Sequence, residues 1–108
     1  MQQINNCKCK ENSWEAILDE MPPSKPRLRV TGVCTCPTGG FKASLKKAAS
    51  QGINPNILIL ELSATAPSGI VNQMVTDYDV RYEEENSPRY TDVTIVPCEI
   101  TIPVEVVS

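Results

Sequence analysis

Ile57-Leu58-Ile59-Leu60-Glu61-Leu62-Ser63-Ala64-Thr65-Ala66 is the most apolar run in the chain, and its reading decides the fold. Side chains alternate between faces along a strand. By that parity Leu58, Leu60, Leu62 and Ala64 share one face, and Ile59, Glu61, Ser63 and Thr65 share the other. A run apolar on both faces at its start and on one face afterwards suits a central strand that enters a buried region and leaves it. The run is short and β-branched at its start, which disfavours a helix.

Working outward, period two persists on both sides. Arg27–Cys36 reads as a strand with Leu28, Val30, Cys34 and Cys36 on one face, and Gly32 within it marks an expected bulge. Pro37-Thr38-Gly39-Gly40 has the composition of a hairpin loop, after which Phe41, Ala43 and Leu45 alternate with Lys42, Ser44 and Lys46. Beyond the central run, Pro67-Ser68-Gly69 is an expected turn. Met74, Thr76, Tyr78, Val80 and Tyr82 then form the inward face of a long half-buried strand. Arg89–Val96 follows, and the last strand, Cys98–Val107, puts Cys98, Ile100, Ile102, Val104 and Val106 on one face. Pro103 cannot donate to a ladder, so that strand is expected to be an edge strand or to bend there.

Before Arg27 the pattern differs. Trp14, Ile17, Leu18 and Met21 lie at i, i+3, i+4 and i+7, and Asn12 with Glu15 fits a capping box. This predicts a short helix ended by Pro22-Pro23. Residues 1–26 are therefore expected to be an N-terminal arm and short helix packed on a main domain of residues 27–108. The expected fold is all-β: an antiparallel β-sandwich of about six strands, immunoglobulin-like in architecture only, with one short N-terminal helix.

Composition narrows the function classes. A chain of 108 residues with 41% hydrophobic content and a mean hydropathy of -0.20 is of single-domain, globular type. No apolar run approaches the ~20 residues that span a bilayer, so no membrane partner is expected. Residues 1–50 carry eight Lys and Arg against four acids, and residues 51–108 carry two against nine, so the halves bear +4 and -7. These halves are expected to face each other within one domain. The cations are spread out without interleaved aromatics, so nucleic acid is not an expected partner. The absence of histidine removes the commonest general base and nucleophile-activating residue, and no enzymatic role is expected. Met1-Gln2-Gln3-Ile4-Asn5-Asn6 has neither a basic nor an apolar leader segment, which points to the cytoplasm for the chain as read, or to secretion if a leader has been removed.

The cysteines come nearest to a functional signal. Cys7-Lys8-Cys9 and Cys34-Thr35-Cys36 repeat one spacing, and Cys98 stands apart. In one reading Cys34, Cys36 and Cys98 are core residues, since each shares parity with the apolar face of its strand. In a second, Cys7, Cys9, Cys34 and Cys36 hold a structural zinc ion, although the usual ligand loops have two to four residues between cysteines. In a third, Cys7 or Cys9 is joined to Cys34 or Cys36 by a disulfide, tying down the polar arm in an oxidising compartment. Asp77, Asp79 and Glu83 share a strand face and continue into Glu84-Glu85; they are read as a solvated acidic face in preference to a calcium site.

The expected function is that of a small non-enzymatic binding or assembly module, with no cofactor, whose protein partner or second copy pairs through an edge strand, the last strand foremost. The alternatives are a structural thiolate zinc protein and a secreted disulfide-tied domain.

Overall fold

The computed structural model describes residues 7–23, 25–37, 39–65 and 74–108. The expected turn at Pro67-Ser68-Gly69, and Ala66 at the end of the central run, lie outside them. Among the described residues, eight strands form one mixed sheet. They are β1 (Lys8–Cys9), β2 (Glu15–Asp19), β3 (Arg27–Cys36), β4 (Lys42–Lys47), β5 (Ile57–Thr65), β6 (Thr76–Glu85), β7 (Asp92–Val96) and β8 (Ile100–Val107).

The sheet curls into a half-barrel. β6 lies antiparallel along one side of β3 over ten paired residues. The other side of β3 is shared: β1 pairs with its C-terminal end and β2 with its N-terminal end. β8 runs parallel to β2 and antiparallel to β7; β7 runs parallel to β5, which pairs antiparallel with β4. The two parallel pairs replace the wholly antiparallel sandwich expected, because β8 carries the sheet from one half to the other. It pairs with β7 over Ile100–Pro103 and with β2 over Val104–Val107. The bend expected at Pro103 is the point where β8 changes neighbours, so each half of β8 has, among the described residues, a paired strand on one side only.

β5 occupies the place its sequence calls for. Leu58, Leu60 and Leu62 are fully buried and Ala64 nearly so, against Leu18 and Leu28 of the opposite half in a common core. Its half-buried second face is covered at Ile59 by the 48–56 loop. There the Gln51 side-chain amide donates to the Ala48 and Ile59 carbonyls and accepts from the Ile59 N–H at 2.8 Å, standing in for a neighbouring strand.

The expected N-terminal helix is a strand. Trp14, Ala16 and Leu18 are buried, while Met21 is 46% exposed and Ile17 only half-buried, so period two prevails over the 3.6 stripe. Two reasons account for it. A two-turn helix has a costly nucleus and little propagation, whereas β2 places Leu18 opposite Leu28 and Ala16 opposite Val30. Asn12, the expected cap, adopts φ 69°, outside the extended region a cap requires. This left-handed residue instead kinks the chain between β1 and β2. Ser13 fills the gap, its hydroxyl accepting from the Val33 N–H at 3.0 Å and donating to the Lys10 carbonyl at 2.6 Å.

Gly32 is not a bulge. The β3–β6 register runs through it unbroken, with Gly32 opposite Val80. Its role is clearance: a Cβ there would lie 2.1 Å from Cε3 of Trp14, whose ring covers the glycine.

The charge asymmetry is resolved across β3 and β6. On their outer face Arg27 pairs with Glu85 at 3.4 Å and Arg29 with Glu83 at 3.7 Å; Arg81 reaches Glu83 at 3.4 Å. Asp77 accepts from the Thr35 hydroxyl at 2.6 Å and pairs with Lys10 at 3.3 Å, which together hold its carboxyl below the usual range. The basic half of the chain thus meets the acidic half strand against strand. The acids read as a solvated face are largely engaged by cations.

Candidate functional site

Two regions at opposite ends of β8 carry the unusual chemistry. The first gathers all five cysteines. β1 and β3 pair with Lys8 opposite Thr35 and Cys9 opposite Cys34, so the two Cys-x-Cys segments lie side by side with their sulfurs on one face. Cys7 is bonded to Cys36 and Cys9 to Cys98. The first bond matches the expected tie between the N-terminal segment and β3. Sequence reasoning missed the second, because Cys98 lies in the turn preceding β8, 89 residues from Cys9, and nothing in local periodicity brings them together. Cys7 and Cys36 are buried, and Cys9 and Cys98 are partly buried against the core.

Cys34 is the one free cysteine, and it is fully buried. Burial first, and then the Asp77 carboxylate, push its thiol pKa up. Cys7, Cys9, Cys34 and Cys36, the four candidate zinc ligands, are therefore brought together, but three of them are held in disulfides. Among the described residues no group of three or more His, Cys, Asp or Glu is placed to hold a metal ion. A groove of about 350 Å³ runs beside the cluster, lined by Lys8, Glu11, Pro97 and Ile100 together with Cys7, Cys9 and Cys98.

The second region is the C-terminal half of β8. Within a strand, the N–H and C=O of one residue point to one neighbour and those of the next residue to the other. The Val104 N–H donates to the Thr91 carbonyl at 2.9 Å on the β7 side, and the Val107 carbonyl accepts from the Glu20 N–H at 2.7 Å on the β2 side. Val106 therefore directs its N–H and C=O toward the β7 side. There, among the described residues, no strand lies beyond Pro103. Val106 and Val107 are 42% and 36% exposed, and the exposed Met21 follows the end of β2 beside them. Glu20, next to Met21, is gripped by Arg89, whose Nε donates to its Oε2 at 3.0 Å while Nη2 reaches Oε1. That bidentate pair holds the Glu20 carboxyl below the usual carboxylate range and ties the segment before β7 to the end of β2.

No helix among the described residues is long and apolar enough to cross a membrane. Compared with known protein families, with characterised proteins and with solved structures, the chain matches none.

Proposed function

We propose that this protein is a non-enzymatic, disulfide-tied β module of an oxidising compartment that works by assembly, without a cofactor, and that its partner is a second copy of itself. The observation that carries this reading is the open edge at Val106. A strand edge with unpaired backbone groups is a template for another strand. Of the usual protections this one has only the Glu105 charge, since Val104–Val107 contains no Lys, no Pro and no bulge. In an antiparallel self-pairing centred on Val106, the two copies of Val106 exchange both backbone hydrogen bonds. Glu105 then stands opposite Val107 of the other copy, so no like charges meet. The exposed Val106, Val107 and Met21 side chains supply the apolar area that such a contact covers.

The oxidising compartment rests on the cysteine pairs. Two disulfides are rarely kept in a reducing cytosol. Secretion is thus the localisation this reading favours.

Sedimentation over a wide concentration range tests the proposal. The native chain should shift from monomer to dimer. Val106→Pro removes the outward donor while leaving the β2–β8 ladder its bonds, and it should remain monomeric with an unchanged circular dichroism spectrum. A native chain that stays monomeric throughout rejects the assembly reading. Five reactive thiols in freshly purified, unreduced protein reject the compartment.

A further inference from the structure

Cys9 is bonded to Cys98, yet the residue directly opposite it in the sheet is Cys34. The hydrogen-bond pattern makes that placement close. The Lys10 N–H donates to the Val33 carbonyl at 2.9 Å, which puts Lys10 and Val33 at a hydrogen-bonded position. Cys9 with Cys34, and Cys7 with Cys36, then occupy the non-hydrogen-bonded positions of the antiparallel ladder. At such positions Cα atoms approach to ~4.5 Å and side chains lie nearest, which falls within the usual range for a disulfide. Cys7 and Cys36 already use this geometry, with Cα atoms 4.1 Å apart. Cys9 and Cys34 are laid out in the same way, but Cys9 is joined instead to Cys98, whose Cα is 6.1 Å away.

We propose that Cys34 and Cys98 compete for Cys9, so that the free thiol of this protein moves between a buried site at Cys34 and a latent reactive site at Cys98. The Cys34 thiolate attacks Sγ of Cys9; the Cys9–Cys34 bond forms as the Cys9–Cys98 bond breaks. Cys98 leaves as a thiolate and takes up a proton in place of the one Cys34 lost. One disulfide is exchanged for another, the count of thiols is unchanged, and no external oxidant or reductant is required.

The consequence is a change of exposure. Cys34 is fully buried, whereas Cys98 is partly exposed and lines the groove beside Lys8, Glu11 and Pro97. The ligand class for that site is a low-molecular-weight disulfide. The Cys98 thiolate attacks one of its sulfurs, forms a mixed disulfide and releases the other half as a thiol. Exchange through Cys34 is slow near neutral pH, because burial and the Asp77 carboxylate on β6 hold the Cys34 thiol protonated. Lys10, paired with Asp77, partly offsets that charge.

The test is to incubate the native, folded protein with 5,5′-dithiobis(2-nitrobenzoic acid), an aromatic small-molecule disulfide, at mildly alkaline pH. The sample is then quenched in acid, digested with pepsin at low pH to prevent scrambling, and mapped without reduction. The expected product carries the aromatic thiol on Cys98 and contains a Cys9–Cys34 disulfide, with Cys7–Cys36 intact. Label on Cys34 with Cys9–Cys98 intact overturns the proposal, as does no labelling short of unfolding. Cys98→Ser gives a second readout: it should fold with no free thiol and a Cys9–Cys34 disulfide, and two free thiols in the folded variant would count against the relay. The untreated map separates this from the function proposed above, because five free thiols there would undo the disulfide reading itself.

Discussion

The two ends of β8 are built on opposite principles. At its N-terminal end, Cys98 anchors the turn to β1, and β1 is anchored in turn to β3. There the interlocked Trp14 and Gly32 hold β2 against β3, with no space for an added methyl group. At its C-terminal end, β8 leans on β2 alone beyond Val104 and leaves Val106 turned outward beside the exposed Val107. One end is over-determined by covalent bonds and close packing. The other is under-covered. A small domain whose strand order is fixed by disulfides at one end of the sheet can leave an edge unpaired at the other, because strand order no longer depends on that edge alone.

The covalent end should show the largest effects, and the sulfur relay makes them unequal. Cys9→Ser removes the closure over 89 residues, which by the loop-entropy argument contributes about 4.6 kcal/mol. Cys98→Ser removes the same bond but leaves Cys9 able to join Cys34, a closure nested inside the Cys7–Cys36 loop and therefore contributing only about 2 kcal/mol. Urea unfolding without reductant should therefore show a loss for Cys98→Ser about 2 kcal/mol smaller than that for Cys9→Ser. Equal losses would mean that Cys34 does not substitute.

Packing at the same end comes next. Gly32→Ala places a methyl group inside the Trp14 ring, so either the ring or β2 must move. Overpacking of this kind costs about 3 kcal/mol. Trp14→Ala alone should lose a similar amount through its cavity. The double variant should lose well under the sum, because without the ring the added methyl group meets open space. Additive losses in the denaturant midpoints would separate the glycine from the tryptophan.

These residues also show where the sequence is legible and where it is not. β5 is readable because both its pattern and its burial are local: Leu58, Leu60 and Leu62 alternate with half-buried neighbours in sequence as they do in space. The N-terminal segment satisfies two periods at once, since Trp14 and Leu18 belong to both. The deciding contacts, Leu28 and Val30, come from a strand that local spacing does not bring near. Gly32 resembles a bulge because the reason for a glycine there is a ring eighteen residues earlier. Parity correctly put Cys34 and Cys36 on the apolar face, but a disulfide partner is a matter of register, and register is not written in periodicity. The polarity of β8 misled in another way. Its alternation is that of a half-buried strand throughout, whereas its pairing is one-sided in each half, with β7 up to Pro103 and with β2 from Val104.

At the open end the effect on stability should be small and the effect on assembly complete. Val106→Pro removes an outward-facing donor and should change the unfolding free energy by less than ~1 kcal/mol, since the proline lies where an edge strand tolerates it. The same substitution should abolish the dimer. A large stability loss without dissociation would show that Val106 is bonded inside the sheet.

The smallest effect is expected where β6 approaches the segment before β7, away from both ends. Tyr82 donates to Glu84 at 2.7 Å and Tyr90 to the other oxygen of the same carboxylate at 3.2 Å. Burial, the hydrogen bond to Glu84 and that carboxylate's charge hold the Tyr82 phenol above its ordinary pKa. Burial and the Glu84 charge raise Tyr90 as well, with Lys47 opposing them. At alkaline pH the folded chain then keeps protons that the unfolded chain gives up. Stability is complete below the unfolded tyrosine value of about 10 and falls as pH rises from there toward the raised folded values. Tyrosinate absorbance in the near ultraviolet should rise late and in step with unfolding. Glu84→Gln removes the negative charge that both phenols face, so its tyrosinate signal should appear at lower pH while the chain is still folded. An unchanged titration in that variant would assign the shift to burial alone and leave Glu84 as a solvated surface acid.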